Sequence, residues 1–294
     1  MNRSEACILC QTPITHSVAE SEGYRICRKC DITWCLLEDP DNPADEWEKD
    51  YYGRSDILRL HESRRSGMEA IVRRLSSVYP HRGRLLDVGA GIGILMHTAA
   101  RDGWLVEGVE PSKSAAERAG KLTGATVYNG LLEELELSEG YYDAVTILDI
   151  LRSVPDPIKF LCCARRLLRP GGVLLIREVY RAVWQKWRWF KGRSLGNSTP
   201  EPRRRAFEYA QCFSPKSLLY AFRLVGLEGW IEPSPVFIEP AGERRFLASV
   251  SKQAIGLASN GLYKASARRL IISPNLLGFG RAPGLQSVST RSAA

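Results

Sequence analysis

The apolar positions of this 294-residue chain change period several times, and each change marks an element. Residues 56–78, "DILRLHESRRSGMEAIVRRLSSV", place apolar side chains at helical spacing among many charges, which predicts a surface helix. Beyond it, short apolar runs alternate with amphipathic ones. "GRLLDVG", "WLVEGVE", "ATVYNG", "YDAVTILD" and "GVLLIREV" read as strands, while "ILMHTAARDG", "SKSAAERAGKLTG" and "PIKFLCCARRLLRPGG" read as the helices between them. Such alternation implies βαβ units and a parallel sheet covered on both faces. Binding sites in these sheets lie beyond the carboxyl ends of the strands. A further helix, "SPKSLLYAFRLVG", precedes "EGWIEP" (228–233) and "RRFLASV" (244–250), which are expected to pair antiparallel and finish the sheet.

Two regions break the rhythm. Residues 181–212 form an expected insertion over the sheet's carboxyl edge, with Trp184, Trp187 and Trp189 set among cations. Residues 251–294 carry one amphipathic helix candidate, "KQAIGLASNGLYKASARRLII", and then a glycine- and serine-rich tail expected to be mobile. No apolar run reaches 18 residues and the N-terminus lacks a basic-then-apolar leader, so the expectation is a cytoplasmic protein without a membrane span.

Charge sharpens this division. The chain carries +8 overall, but residues 181–294 alone hold +12, leaving −4 for the rest. A basic C-terminal third suits an anionic partner: an acidic acceptor, a membrane face or nucleic acid. The amphipathic helix makes peripheral contact with the inner membrane face one expectation.

Five of the eight cysteines lie in the first 35 residues. Cys7-x-x-Cys10 and Cys27-x-x-Cys30, with sixteen residues between them, offer four thiolates on two turns, as tetrahedral zinc requires. A closed four-sulfur site leaves no coordination position for substrate, which makes it structural. The expected organisation is therefore a zinc ribbon (1–37), a linker and helix (38–80), an α/β domain (81–250) with its insertion, and the C-terminal segment (251–294).

"LLDVGAGIGIL" puts Gly89, Gly91 and Gly93 between a strand and a helix, where backbone can approach a ligand. Two details choose the ligand. The third glycine comes one residue too early for a dinucleotide fingerprint, and Asp87 would repel a pyrophosphate. A ligand with an ammonium group and no phosphate, such as S-adenosylmethionine, would welcome that carboxylate. Glu110, ending the next strand, is placed to accept from two ribose hydroxyls.

"LLDVGAGIG", "GVEPS", "YDAVTILDIL" and "LLRPGG" occur in the order and spacing of the class I S-adenosylmethionine-dependent methyltransferases, which residues 45–250 resemble. The resemblance implies a Rossmann-like, mostly parallel seven-stranded sheet. It implies that Asp87 and Gly89 lie near the methionine moiety, that Gly91 and Gly93 shape the loop, and that Glu110 binds the ribose. It also sets Leu131 and Leu132 beside the adenine, and Leu148 and Asp149 beside the sulfonium. "YRICRKCDITWC" and "DYYGR" resemble a zinc-ribbon subgroup that acts on glycans and secondary metabolites, in which Tyr51 or Tyr52 would cover the cofactor. There glycine usually follows each knuckle's second cysteine; here Gln11 and Asp31 stand in those places.

The family's Glu-His pair after the fourth strand is replaced by Arg152 and Ser153, and the four histidines lie elsewhere. Asp149, Glu178 and Tyr180 are the remaining candidates for proton transfer. Arg152 suits an anionic acceptor, and Trp184 and Trp187 suit a ring to stack. The expected reaction is O-methylation of a small molecule or glycan. Methylation of RNA and a cofactor-binding homologue without catalysis are the alternatives.

Overall fold

The computed structural model describes residues 5–19, 24–35, 63–180, 183, 210–235 and 256–284. At the N-terminus, β1 (Ser17–Ala19), β2 (Tyr24–Cys27) and β3 (Thr33–Cys35) form an antiparallel meander, joined on its outer side by β9 (Gln211–Cys212) from far along the chain. The surface helix α1 is described over Arg65–Val78, and the expected residues 56–62 fall outside the described residues.

The alternating middle of the chain folds as its periodicity predicts. β4 (Arg84–Val88), α2 (Ile94–Arg101), β5 (Leu105–Glu110), α3 (Lys113–Thr123), β6 (Val127–Asn129), β7 (Tyr142–Leu148), α4 (Pro157–Leu167) and β8 (Leu168–Val179) follow one another, and β4 to β8 are parallel where they pair. Local chemistry sets the boundaries. Ser112 caps α3 by accepting Ala115 N–H at 3.1 Å, and Asp156 caps α4 by accepting Ile158 and Lys159 N–H, with Pro157 in the first helical turn. The expected helix through Gly172 stops at Leu167, because the residue before Pro170 avoids helical backbone and Gly171 turns to φ 78°.

After α5 (Pro215–Leu224) come β10 (Glu228–Pro233) and β11 (Asn275–Arg281). The seven-stranded sheet runs β10-β11-β8-β7-β4-β5-β6. The expected partner of β10, residues 244–250, lies outside the described residues. Instead β11 inserts between β10 and β8, antiparallel to both, so the α/β unit extends beyond residue 250 and residues 275–281 are not a mobile tail. The glycines that gave "NLLGFGR" the look of a tail have a packing role: a side chain at Gly278 or Gly280, like one at Gly229 of β10, would meet Phe222, which fills the space they leave. Of the amphipathic candidate, residues 256–265 are helical, with Tyr263 donating to Ile231 O at 2.9 Å.

Neighbouring strand residues point to opposite faces and feed two cores. Leu85, Ala144, Leu175, Leu277 and Phe279 pack with α1 and α2 through Ile71, Leu75 and Leu95. Leu86, Val145, Leu174 and Leu276 pack with α4 and α5 through Leu161 and Phe222, and the cysteine-rich unit joins this second core through Ile8, Leu9, Ile32 and Trp34. Strand order reverses between β4 and β7, so the crevice where ligands bind in such sheets opens beyond their carboxyl ends. Among the described residues no helix is long and apolar enough to cross a membrane.

Candidate functional site

At the reversal point, β4 delivers Asp87 and then the glycine loop. Gly89, Gly91 and Gly93 take φ of 70°, 55° and 85°, conformations that L side chains rarely adopt. Gly93 also lets α2 start against α3, since a Cβ there would sit 2.9 Å from Ala119 Cα. Glu110, buried at the end of β5, ties the loop down: its Oε2 accepts Gly91 N–H at 2.8 Å and its Oε1 accepts Ser112 N–H at 3.0 Å. A carboxylate has about four lone-pair positions, so two such bonds leave capacity for ligand hydroxyls. Asp87 accepts from Thr146 Oγ1 at 2.7 Å. Burial raises its carboxyl to about 7, with Glu110 adding to the rise and the Thr146 bond opposing it. A cationic ligand group bound beside it would favour its ionised form.

Across the crevice, β7 ends in Leu148, and Asp149 follows at φ 62°, its N–H donating to Arg177 O at 2.8 Å. Two guanidiniums meet this carboxylate, and a third charge acts on it. Arg177 donates to its Oδ2, Arg152 approaches its Oδ1 at 3.3 Å, and Arg64, just before α1, adds its charge. Burial would raise Asp149, but the charges of Arg177, Arg152 and Arg64 outweigh it and hold the group below the usual range. Buried Glu178 accepts the Arg152 N–H at 3.2 Å and faces its guanidinium at 3.7 Å. Here burial wins and lifts the carboxyl to about 7. Tyr180, half-buried, is raised by burial and then by the Asp31 carboxylate of the cysteine-rich unit.

The four cysteines meet. All four Sγ atoms lie within 4.8 Å of one another, with Cys7–Cys30 and Cys10–Cys27 at 3.5 Å. Tetrahedral zinc with bonds of about 2.3 Å sets its sulfurs about 3.8 Å apart, so the donor set fits that ion. Both knuckles close alike: Cys7 N donates to Thr12 O and Gln11 N to Cys7 O, while Cys27 N donates to Ile32 O and Asp31 N to Cys27 O. Gln11 (φ 55°) and Asp31 (φ 64°) adopt the left-handed backbone that glycine usually supplies, so the turn survives the substitution under strain. The hydrogen bond shared by Cys7 and Cys30 lowers the Cys7 thiol against burial and, with burial, raises the Cys30 thiol. Cys35, buried in β3, stands outside the group.

A methyltransferase-domain model matches residues 60–231, more than half of the sequence. The chain belongs to that family. Membership supports S-adenosylmethionine as its methyl donor. Among curated relatives, the ubiquinone biosynthesis O-methyltransferase of Alkalilimnicola ehrlichii is 36% identical over 104 residues, 33% of this chain and 42% of that one. The Vibrio cholerae protein of the same name is 33% identical over 108 residues, 34% and 43% of the two chains. The aligned region thus spans less than half the length of these curated relatives. Two solved structures share the fold. A SAM-dependent methyltransferase of Thermotoga maritima aligns at TM-score 0.51 and 22% identity, over 81% of this chain and 98% of that one. A plantazolicin methyltransferase, solved with a triazolic desmethylPZN analog and SAH, aligns at 0.53 and 17%, over 81% and 94%.

The candidate residues separate by environment. Asp87, the three glycines and Glu110 stand at the carboxyl ends of β4 and β5, and Leu148, Asp149, Arg152 and Glu178 at or just beyond those of β7 and β8. Leu131 is exposed, whereas Leu132 turns into the core with Val88 and Val109. Trp184, Trp187, Tyr51 and Tyr52 lie outside the described residues. Sequence reasoning missed Arg177, Thr146 and Ile150, whose Cδ1 lies where a Cβ on Gly89 would point. An arginine inside the apolar strand "LLIREV" was the available signal for Arg177, because a buried guanidinium demands an acid.

Proposed function

We propose that this chain is an S-adenosylmethionine-dependent methyltransferase that O-methylates a small, anionic acceptor, with structural zinc in its N-terminal unit. The observation that carries the reading is the crevice between β4 and β7. One wall has a neutral-range acid and a glycine loop pinned by a carboxylate; the other has the Arg152 and Arg177 guanidiniums against Asp149. The bound donor would supply an electrophilic methyl group. Asp87 would face its charged methionine end, Glu110 its ribose, and the backbone near Leu131 and Leu132 its adenine; Leu148 would border the reacting carbon.

On the acceptor side, Glu178 is the proposed proton acceptor. With its carboxyl at about 7, it is ionised in a useful fraction at neutral pH and can still hold a proton. Asp149, kept ionised by its arginines, would orient the acceptor. Tyr180, whose phenol is raised, would donate a hydrogen bond. The guanidiniums of Arg152 and Arg177 at this wall support a carboxylate- or phosphate-bearing small molecule or glycan as acceptor. Trp184 and Trp187 would stack on a ring of it.

The helical residues 256–265 expose Leu257 and Leu262, and Leu270, Ile272, Arg268 and Arg269 follow them at the surface. This supports peripheral contact with an anionic membrane face. Vesicle flotation with and without anionic lipid tests that contact, and equal floating of both would refute it.

The central test has two steps. Isothermal titration should show S-adenosylmethionine binding, and a panel of phenolic and sugar acceptors with and without acid groups should then show methyl transfer to oxygen, best with the acidic ones. Indifference to S-adenosylmethionine would end the reading, and transfer only to RNA would overturn its substrate class.

A further inference from the structure

We propose that Gln211 is a positioning residue that couples the acceptor-side turn, residues 151–154, to the four-cysteine centre. The coupling rests on the reading above, in which the end of β7 receives the acceptor.

The turn closes poorly by itself. Ser153 N–H donates to Ile150 O at 2.8 Å, but Val154 N–H reaches Leu151 O only at 3.5 Å. The Gln211 side chain supplies the difference. Fully buried, it directs Nε2 at both ends of the turn, to Leu151 O at 2.7 Å and Val154 O at 2.6 Å. A primary amide has two N–H donors and both are used, so an apolar side chain of the same length would leave two buried carbonyls short of a donor. Between those carbonyls sits Arg152, whose N–H reaches Glu178 and whose guanidinium faces Asp149 and Glu178. Moving the turn therefore moves the charges around the proposed proton acceptor.

What holds Gln211 leads back to sulfur. β9 is two residues long and pairs with β3, with Trp34 opposite Gln211 and Thr33 opposite Cys212; Cys35 N–H adds a bond to Ala210 O at 2.8 Å. β3 in turn leaves the second knuckle directly, through the bond from Cys27 N to Ile32 O at 2.9 Å. Trp34, Ile32 and Phe213 share one apolar cluster with Leu151 and Val154. Metal bound by Cys7, Cys10, Cys27 and Cys30 would stiffen β3, hold β9 in register and keep the amide of Gln211 beneath the turn.

Two perturbations test this on the full chain: removal of metal with a chelator, and Gln211→Met, which keeps shape and metal. The first reading is amide exchange by NMR. Ser153 and Val154 should exchange about tenfold faster in both cases, as expected for two lost hydrogen bonds, while Leu85–Val88 change little. The second reading is the infrared band of the protonated Glu178 carboxyl, assigned with Glu178→Gln. Its titration should shift upward in both cases as Arg152 drifts away, with Asp149 and Arg177 still in place. A merely structural glutamine would not move that titration. If chelation unfolds the chain, Gln211→Met decides alone. Unchanged exchange and titration in Gln211→Met, or an unchanged turn after proven metal loss, would overturn the coupling. Binding of S-adenosylmethionine is measured in parallel: its absence with a responsive turn counts against the proposed function, and its presence with an unresponsive turn counts against the coupling.

Discussion

Glu110 holds Gly91: the carboxylate at the end of β5 accepts the loop's N–H at 2.8 Å, so the residue expected to bind a ribose also shapes the loop beside it. Replacing Glu110 by alanine removes both contributions. Charge-assisted hydrogen bonds are worth about 1.5–3 kcal/mol each, so S-adenosylmethionine affinity should fall about 30-fold or more. Gly91→Arg, which forces a long side chain onto a backbone at φ 55°, should abolish the melting-temperature rise that the donor gives the native protein. Calorimetry and thermal shift measure the two.

Asp87 and Glu178 make stability depend on pH in a stated direction. Both are raised to about 7 in the folded chain, from ordinary values of 3.8 and 4.5. Groups raised on folding contribute fully below their unfolded pKa, and the contribution is lost as pH climbs through the folded pKa. Ligand-free melting temperature should therefore fall between about pH 4.5 and 7.5, by an effect on the order of 3 kcal/mol per group. Asp87→Asn should flatten part of that fall. Binding of a cationic donor favours ionised Asp87, so it should release a proton near pH 6.5. Titration in two buffers of different ionisation enthalpy measures that release.

Elemental analysis should find about one zinc per chain, lost in Cys30→Ser. The left-handed Gln11 gives a sharper test. Gln11→Gly removes a cost of about 1 kcal/mol without touching a ligand, so the protein should hold zinc several-fold more tightly against a chelator.

Arg177 is buried against Asp149, and a buried pair is costly to break from one side. Arg177→Met should lower stability by about 1.5–3 kcal/mol in denaturant unfolding, since Arg152 still faces the carboxylate. Adding Asp149→Asn should return less than half of that, because Arg152 still faces the carboxylate at 3.3 Å once Arg177 is gone and would lose it in the double variant.

The parallel half of the sheet was legible because buried strands and amphipathic helices differ in period, and α3 and α4 carry their own caps in Ser112 and Asp156. The glycine loop, Glu110 and the cysteines were legible because each needs particular residue types at fixed spacing. β11 was not, since its glycines make sense only beneath Phe222, a contact between residues more than fifty apart. Gln211 was hidden for a similar reason: it occupies an unremarkable "AQCF", and its meaning depends on two carbonyls 60 and 57 positions earlier. Spacing reveals chemistry that is local in sequence, whereas long-range pairing appears only in the folded chain.

The insertion of β11 also bears on how the chain folds while it is being made. Synthesis runs from the N-terminus, so β4 to β8 leave the ribosome well before residue 275. During that interval the edge of β8 from Val173 to Val179 has no β11 to pair with, and β10 has nothing to dock on. A nascent chain at this stage presents a long apolar strand edge to its neighbours. The same holds for any product cut short before Asn275, whose cofactor crevice could be complete while its surface invites aggregation.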